Sequence, residues 1–342
     1  MIDLHRTVMA VTLGCSVLAA VLSTSVSAQQ SGCTGVNLLD DIKGRDAAAF
    51  ARIRKAADAT KNGRHVLWKI EHDEFPDRAP SYLFGTIHVT DDRVQKFSPA
   101  LDEALSLTRR IALEVDPGSN DRTEEALAAM QTTALLSNNA QLAEMLDKPA
   151  AERASVMLAK SGLPKEWQPR VKPWVAMMLT STSECERRRL TAGKLPLDAE
   201  LARQAENRGV GSFGLETTEM QFEALAALPD ADQLAMLKAS LAAYERIDDQ
   251  VETLVRLYLT RDLGAIWPLQ IELGKTYGLD AKVLEGWYLS VIAERNIRMR
   301  DRALMHLSYG GVLIAVGAMH LPGDSGLVEL LMDAGYKLTP VE

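Results

Sequence analysis

Several classes of protein are excluded by what this chain lacks. Basic residues are in deficit: 38 Lys and Arg face 46 Asp and Glu, for a formal charge of −8 and a pI near 5.4. The basic face of a general nucleic-acid binder is therefore not expected. Three cysteines in 342 residues are too few for a Cys-only metal site. No H-E-x-x-H, G-x-S-x-G or Walker A pattern occurs, which removes the zincin helix, the nucleophile elbow and the phosphate loop as starting points. Beyond the N-terminus, no run is apolar enough to span a bilayer. What remains is ordinary globular composition, 47% hydrophobic and 25% charged, enough for one large domain or two modest ones.

The first 28 residues read as a secretory leader. Arg6 supplies a thin positive region, 8–22 is apolar, and Val26-Ser27-Ala28 forms a small-residue cleavage site. Cleavage after Ala28 would leave a soluble exported chain, periplasmic or secreted; the alternative is an uncleaved N-terminal anchor. Neither Cys15 nor Cys33 has the Leu-small-small context of a lipoprotein. Removing the leader removes Cys15 and leaves Cys33 and Cys185. Two thiols in an oxidising compartment suggest one disulfide between the mature N-terminus and mid-chain, although their spacing does not exclude two unpaired thiols.

Secondary-structure signals divide the chain unevenly. A helical pattern over 40–60 ends at Lys61-Asn62-Gly63, and 65–71 and 82–87, separated by a turn containing Pro76 and Pro80, read as a hairpin or adjacent strands. A helix over 98–108 precedes a compact strand at 110–115, RIALEV. Segments with helical spacing fill 121–209, and 211–215 is a brief strand. Leu234, Leu237, Leu241, Tyr244, Ile247, Val251, Leu254 and Tyr258 then recur three or four apart with no Gly or Pro among them, which predicts one amphipathic helix of about eight turns. Packing on its own domain is the simpler use for such a helix than a partner interface, and nothing demands a dimer. Helices at 263–277 and 282–307, a strand at 310–316, a helix at 326–334 and a strand at 335–339 complete the pattern. Strands at both ends with helices between them predict a single α/β domain over 29–342. Its central mixed sheet is built from N- and C-terminal strands, with helical insertions at about 121–209 and 217–308.

Two segments share one setting. In YLFGTIHVTDD, from Tyr82, and VLIAVGAMHLPGD, from Val312, an apolar strand is followed by Gly, two residues, His and an acidic loop. Gly85 with His88 and Gly317 with His320 occupy equivalent places. In α/β sheets ligands bind beyond the carboxyl ends of strands, and Gly there permits close approach by backbone or ligand. Glu114, closing the 110–115 strand, reaches the same edge if the strands are neighbours. Two His and one carboxylate leave coordination positions open on a hydrolytic metal. Each residue also has a structural reading, as a satisfied polar group at a strand end. His5, His65, His72 and His306 lack the shared context.

GTIH at 85–88, LEVD at 113–116, FGLET at 213–217, ERN at 294–296 and VGAMHLPGDSGL at 316–327 together resemble the TraB/PrgY/GumN family, in its exported GumN-like branch. The resemblance spans about 38–338. It implies the sheet architecture of erythromycin-esterase-like and ChaN-like proteins, the latter haem-binding, and kinship with Tiki proteins, metal-dependent proteases acting on Wnt proteins with Mn²⁺ or Co²⁺. It further implies that His88, His320 and Glu114 form a centre for Mn, Co or Zn, with Gly85 and Gly317 giving the group room. Arg295 and Asn296 would face that centre from a helix, suited to anchoring a substrate carboxylate or stabilising an oxyanion, unless they serve as cap and surface ion pair. Glu216 would be a further ligand or general base, or else a structural acceptor. Asp198, in Pro-Leu-Asp, is expected to cap a helix. The function so implied is an exported metal-dependent hydrolase, most simply a peptidase, with a carboxylate (Glu114 or Glu216) as base. Its substrate would be a peptide or another small exported molecule, and not a nucleic acid. The alternative is a non-catalytic binder of peptide, polysaccharide precursor or haem.

Overall fold

The computed structural model describes Cys33 and residues 35–74, 76–116 and 133–342. The leader expected at 1–28 and the start of the helical stretch expected from 121 lie outside the described residues. Six strands form one mixed sheet: β1 (Leu67–Glu71), β2 (Ser81–Thr86), β3 (Arg110–Val115), β4 (Gly211–Glu216), β5 (Val312–Gly317) and β6 (Lys337–Pro340). Their spatial order is β4-β3-β5-β2-β1-β6. β1 runs antiparallel to β2 and β6, while β2, β5, β3 and β4 are mutually parallel along that order. The fold is therefore α/β, with the C-terminal β5 lodged between two N-terminal strands.

β5 reads VLIAVG because it is covered on both faces, as central parallel strands are. Its side chains alternate between two cores. Leu313 and Ala315 join Leu83's neighbours Tyr82 and Phe84, with Ile111 and Leu201, on one face. Val312, Ile314 and Val316 join Leu83, Met299 and Leu327 on the other. Among the described residues, the long connections from β3 to β4 and from β4 to β5 are mostly helical. Among the described residues no helix is long and apolar enough to cross a membrane.

The eight-turn helix expected through Tyr258 is two helices, Asp230–Ala243 and Ile247–Leu259, joined by a 3₁₀ turn at Tyr244–Arg246. The reason lies in what each half covers. Leu237 and Leu241 pack with Trp174 and Leu158 in a core internal to the helical region. Val255, Leu257 and Tyr258 pack against the sheet core. The turn lets a sequence of unbroken periodicity serve two differently placed cores. The helix expected at 282–307 likewise carries an interruption, a π-helical turn at Leu289–Ala293 just before Glu294–Leu307. Such turns often re-aim residues at functional sites.

Cys33 and Cys185 are joined by a disulfide, with Cα atoms 5.7 Å apart. Cys185 lies in the helix Glu184–Thr191, whose neighbouring Glu186 enters a charge network with the residues that follow β2. One Glu186 oxygen accepts both the backbone N–H and the hydroxyl of Thr90, at 2.8 and 2.7 Å. Arg189 pairs with Glu186 at 3.2 Å and Asp91 at 3.4 Å, and Arg93 links Asp91 to Glu252. Burial pushes the Asp91 carboxyl upward, but Arg93, through its side chain and its backbone N–H, and then Arg189 hold it down at about 2. Because the folded value lies below the unfolded one, this stabilisation is present at neutral pH and is lost as pH falls from about 4 through 2. Asp91→Asn is accordingly expected to lower stability by about 2 kcal/mol at pH 7, a deficit that disappears toward pH 2 in acid-to-neutral denaturant titrations.

Candidate metal centre

Three parallel strands deliver the centre. In register, Thr86 of β2 faces Gly317 of β5, and Leu113 of β3 faces Ala315 of β5. Their carboxyl ends therefore share one edge, where His88 follows β2, His320 closes a 3₁₀ turn after β5, and Glu114 lies near the end of β3. The His88 and His320 Nε2 atoms lie 3.9 and 3.8 Å from the same Glu114 oxygen, Oε1. Both separations are beyond hydrogen-bond length.

Each of the three groups is held from behind. His320 is buried, and its Nδ1 lies 2.6 Å from Asn296 Oδ1. The Asn296 amide nitrogen donates to the carbonyls of His320 and Ser325, so the oxygen is the end that faces the ring. His320 therefore carries its proton on Nδ1 and presents a bare Nε2. Burial pushes the His320 ring down to about 4, against the pull of Glu114, and keeps it neutral. His88 is oriented by Asp198, whose Oδ1 lies 3.0 Å from its Nδ1, and 61% of its side chain is exposed. Desolvation opposes charging of His88, but Asp198 and Glu114 outweigh it and raise the ring to about 9. Glu114 Oε1 accepts the Gly317 N–H at 2.6 Å, and Oε2 accepts from Arg295 at 2.7 Å and Gln221 at 3.0 Å. Burial raises the Glu114 carboxyl, yet His320, His88, Arg295 and that N–H together hold it far below the ordinary range.

The two motif glycines have separate uses. A Cβ at Gly317 would stand 3.1 Å from Glu114 Oε1 and 3.5 Å from His88 Nε2, within the space the three groups enclose. A Cβ at Gly85 would press on the Ala318 backbone at 3.1 Å, so this glycine admits the second motif's chain. The Gly85 carbonyl accepts a 2.7 Å bond from the buried Tyr258 hydroxyl.

The other expected residues lie behind these. Arg295 is buried and donates to Glu216 at 2.8 Å, to Glu114 at 2.7 Å and to the Val291 carbonyl at 3.1 Å. It is an internal clamp between two carboxylates. The Glu216 side chain has no exposed surface and meets Arg295 rather than either histidine. Asp198 is a correction: the N-cap position of its helix, Leu197–Asn207, is Pro196, with no side-chain cap bond, and Asp198 turns to His88 instead. Gln221 was not anticipated. Its helix, Thr218–Ala226, begins directly after the FGLET stretch, with Thr217 accepting the Met220 N–H, so that motif marked the junction but not the residue.

Among the described residues no three His, Cys, Asp or Glu side chains are gathered tightly enough to hold an ion as they stand. The chemistry of the donor set nevertheless fits a divalent cation. Two imidazole Nε2 atoms converge on a carboxylate oxygen, and each imidazole has its other nitrogen bonded to an oxygen, the usual support of metal-binding histidines; a bound cation would take the place of the His88 Nε2 proton. The space that a Cβ at Gly317 would fill is where such an ion would be held.

Fold and site together define an α/β protein with a histidine–carboxylate cluster at the carboxyl edge of a mixed sheet. The chain belongs to the TraB/PrgY/gumN family, whose sequence profile matches residues 66–340. It is 25% identical over 325 residues to the zebrafish (Danio rerio) metalloprotease TIKI2, covering 81% of this chain and 61% of that one. The Nematostella vectensis metalloprotease TIKI homolog is 24% identical, over 85% of this chain and 70% of its own. The uncharacterised Escherichia coli protein YbaP is 22% identical, over 80% of this chain and 96% of its length. The chain thus spans about three-fifths of the zebrafish relative and nearly all of the bacterial one. No solved structure matches.

Proposed function

We propose that the chain is an exported metal-dependent hydrolase acting on peptides, with His88, His320 and Glu114 holding the ion. The observation that carries this reading is the convergence of two oriented Nε2 atoms on one carboxylate oxygen. The names of the TIKI relatives support it. Export rests on the expected leader and on the disulfide, which belongs to oxidising compartments. When bound, the ion would lower the pKa of a coordinated water toward about 7 and polarise a substrate carbonyl. His320 supplies a fixed neutral donor and Glu114 a permanent negative charge. The exposed face of His88 is where substrate approaches, since His320 and Glu114 are nearly closed off. Of the two carboxylates considered as base, Glu114 alone reaches the centre. Glu216 acts through Arg295.

The mature protein is expected to take up Mn²⁺, Co²⁺ or Zn²⁺ and to cleave members of a peptide library. His88→Ala and His320→Ala should each weaken metal binding by more than the roughly 10–100-fold that follows loss of an outer partner. Metal analysis and product detection by mass spectrometry check this. A non-catalytic binder would return its peptide, polysaccharide precursor or haem unaltered. The reading fails if no ion supports cleavage and both variants keep wild-type metal content.

A further inference from the structure

We infer that Asp198 is a positioning residue for this centre, contributed by the helical insertion rather than by the sheet. The inference rests on the hydrolase reading for its purpose, but its geometry stands separately. The two histidines are not held alike. His320 lies inside the protein, 4% exposed, within a 3₁₀ turn and against the Asn296 amide. His88 stands in a bend past the end of β2, with 61% of its side chain exposed. The 3.0 Å contact from Nδ1 to Asp198 is what orients it.

Asp198 is placed for this. Leu197, Leu201 and Ala205 bury one stripe of its helix against the sheet core, which fixes the helix rotation and projects Asp198 toward the strand edge. It makes no cap bond there. A carboxylate can only accept, so in the neutral ring it holds the His88 proton on Nδ1 and leaves Nε2 free, aimed at Glu114. It also makes the imidazole a stronger donor to a cation than an amide partner would. The centre therefore has one ligand oriented by Asn296 from the helix that precedes β5 and the other by Asp198 from a helix between β3 and β4, across 110 residues of sequence.

The test compares Asp198→Asn, Asp198→Ala and wild type as full mature chains. Titration with Mn²⁺, Co²⁺ and Zn²⁺ should show affinity lowered roughly 10–100-fold in Asp198→Ala. Asp198→Asn retains an acceptor oxygen, as Asn296 does for His320, and should lose no more than about tenfold. Independently of metal, ¹⁵N-histidine spectra of the metal-free proteins, at a pH where the ring is neutral, should show the Nδ1–H tautomer of His88 in wild type and Asp198→Asn and a mixture in Asp198→Ala. An unchanged His88 spectrum in Asp198→Ala overturns the inference, whatever happens to stability or affinity. Wild-type protein that takes up no ion overturns the hydrolase reading instead, and the metal-free spectra then decide the role of Asp198 alone.

Discussion

Glu114→Gln should abolish metal uptake and lower stability by about 3 kcal/mol at neutral pH. The substitution preserves size, so the loss would be electrostatic. Glu114 accepts on both oxygens, from Gly317 N–H on one side and from Arg295 and Gln221 on the other. An amide has one accepting end. If its NH₂ faces Arg295 and Gln221, donors meet donors; if it faces Gly317, it also points at the site between the two Nε2 atoms. Either orientation leaves a buried polar group without a partner, on top of a broken ion pair. Removing one partner of a buried pair typically costs about 3–5 kcal/mol, and the lower end is expected because Arg295 keeps Glu216. Metal content by elemental analysis and the denaturant midpoint check both parts. Full metal occupancy in the variant would exclude Glu114 as a ligand.

Arg295→Met should be comparably severe, with a pH signature of its own. The guanidinium Nη2 lies 2.7 Å from an oxygen of both Glu114 and Glu216 and is the charge the two buried carboxylates share; Arg298, 3.7 Å from the other Glu216 oxygen, is more exposed. Without it, like charges and burial together raise a carboxyl in the folded state above its unfolded value. A group raised in this way opposes folding as pH rises through its folded pKa, so the deficit against wild type grows with pH. The expected loss is about 3–5 kcal/mol at pH 7 to 8 and clearly less near pH 5. Adding Glu216→Gln, which removes one of the two charges, should recover part of the neutral-pH loss. Unfolding curves at several pH values measure this; a deficit independent of pH would mean that Arg295 acts only by packing.

The legibility of this molecule in its sequence follows from the range of the interactions involved. Strand–Gly–x–x–His occurs twice, and each copy is local, so His88 and His320 could be marked and the sheet assembled from both ends of the chain. Glu114 could be added because a strand end is also local. Asp198 could not, since Pro-Leu-Asp is a plausible helix start and its partner lies 110 residues earlier. The turn at Tyr244–Arg246 was hidden because periodicity records that residues are buried, not which core receives them. Arg295 was legible as a group near the centre, but its two carboxylate partners come from β3 and β4, and only strand order brings those together. Gln221 had no signal beyond its helix.

The position of β5 bears on how the chain reaches this structure. β2 and β3 do not touch as neighbours; each pairs in parallel with β5, which arrives some 200 residues after β3. During synthesis the earlier strands must wait, with unpaired edges, for a segment from the last tenth of the sequence. Sheets closed by such distant partners form slowly and expose strand edges meanwhile. A chain interrupted before Val312 would therefore lack more than His320. It would have no strand to join its two halves, and β2 and β3 would be left as open edges suited to aggregation.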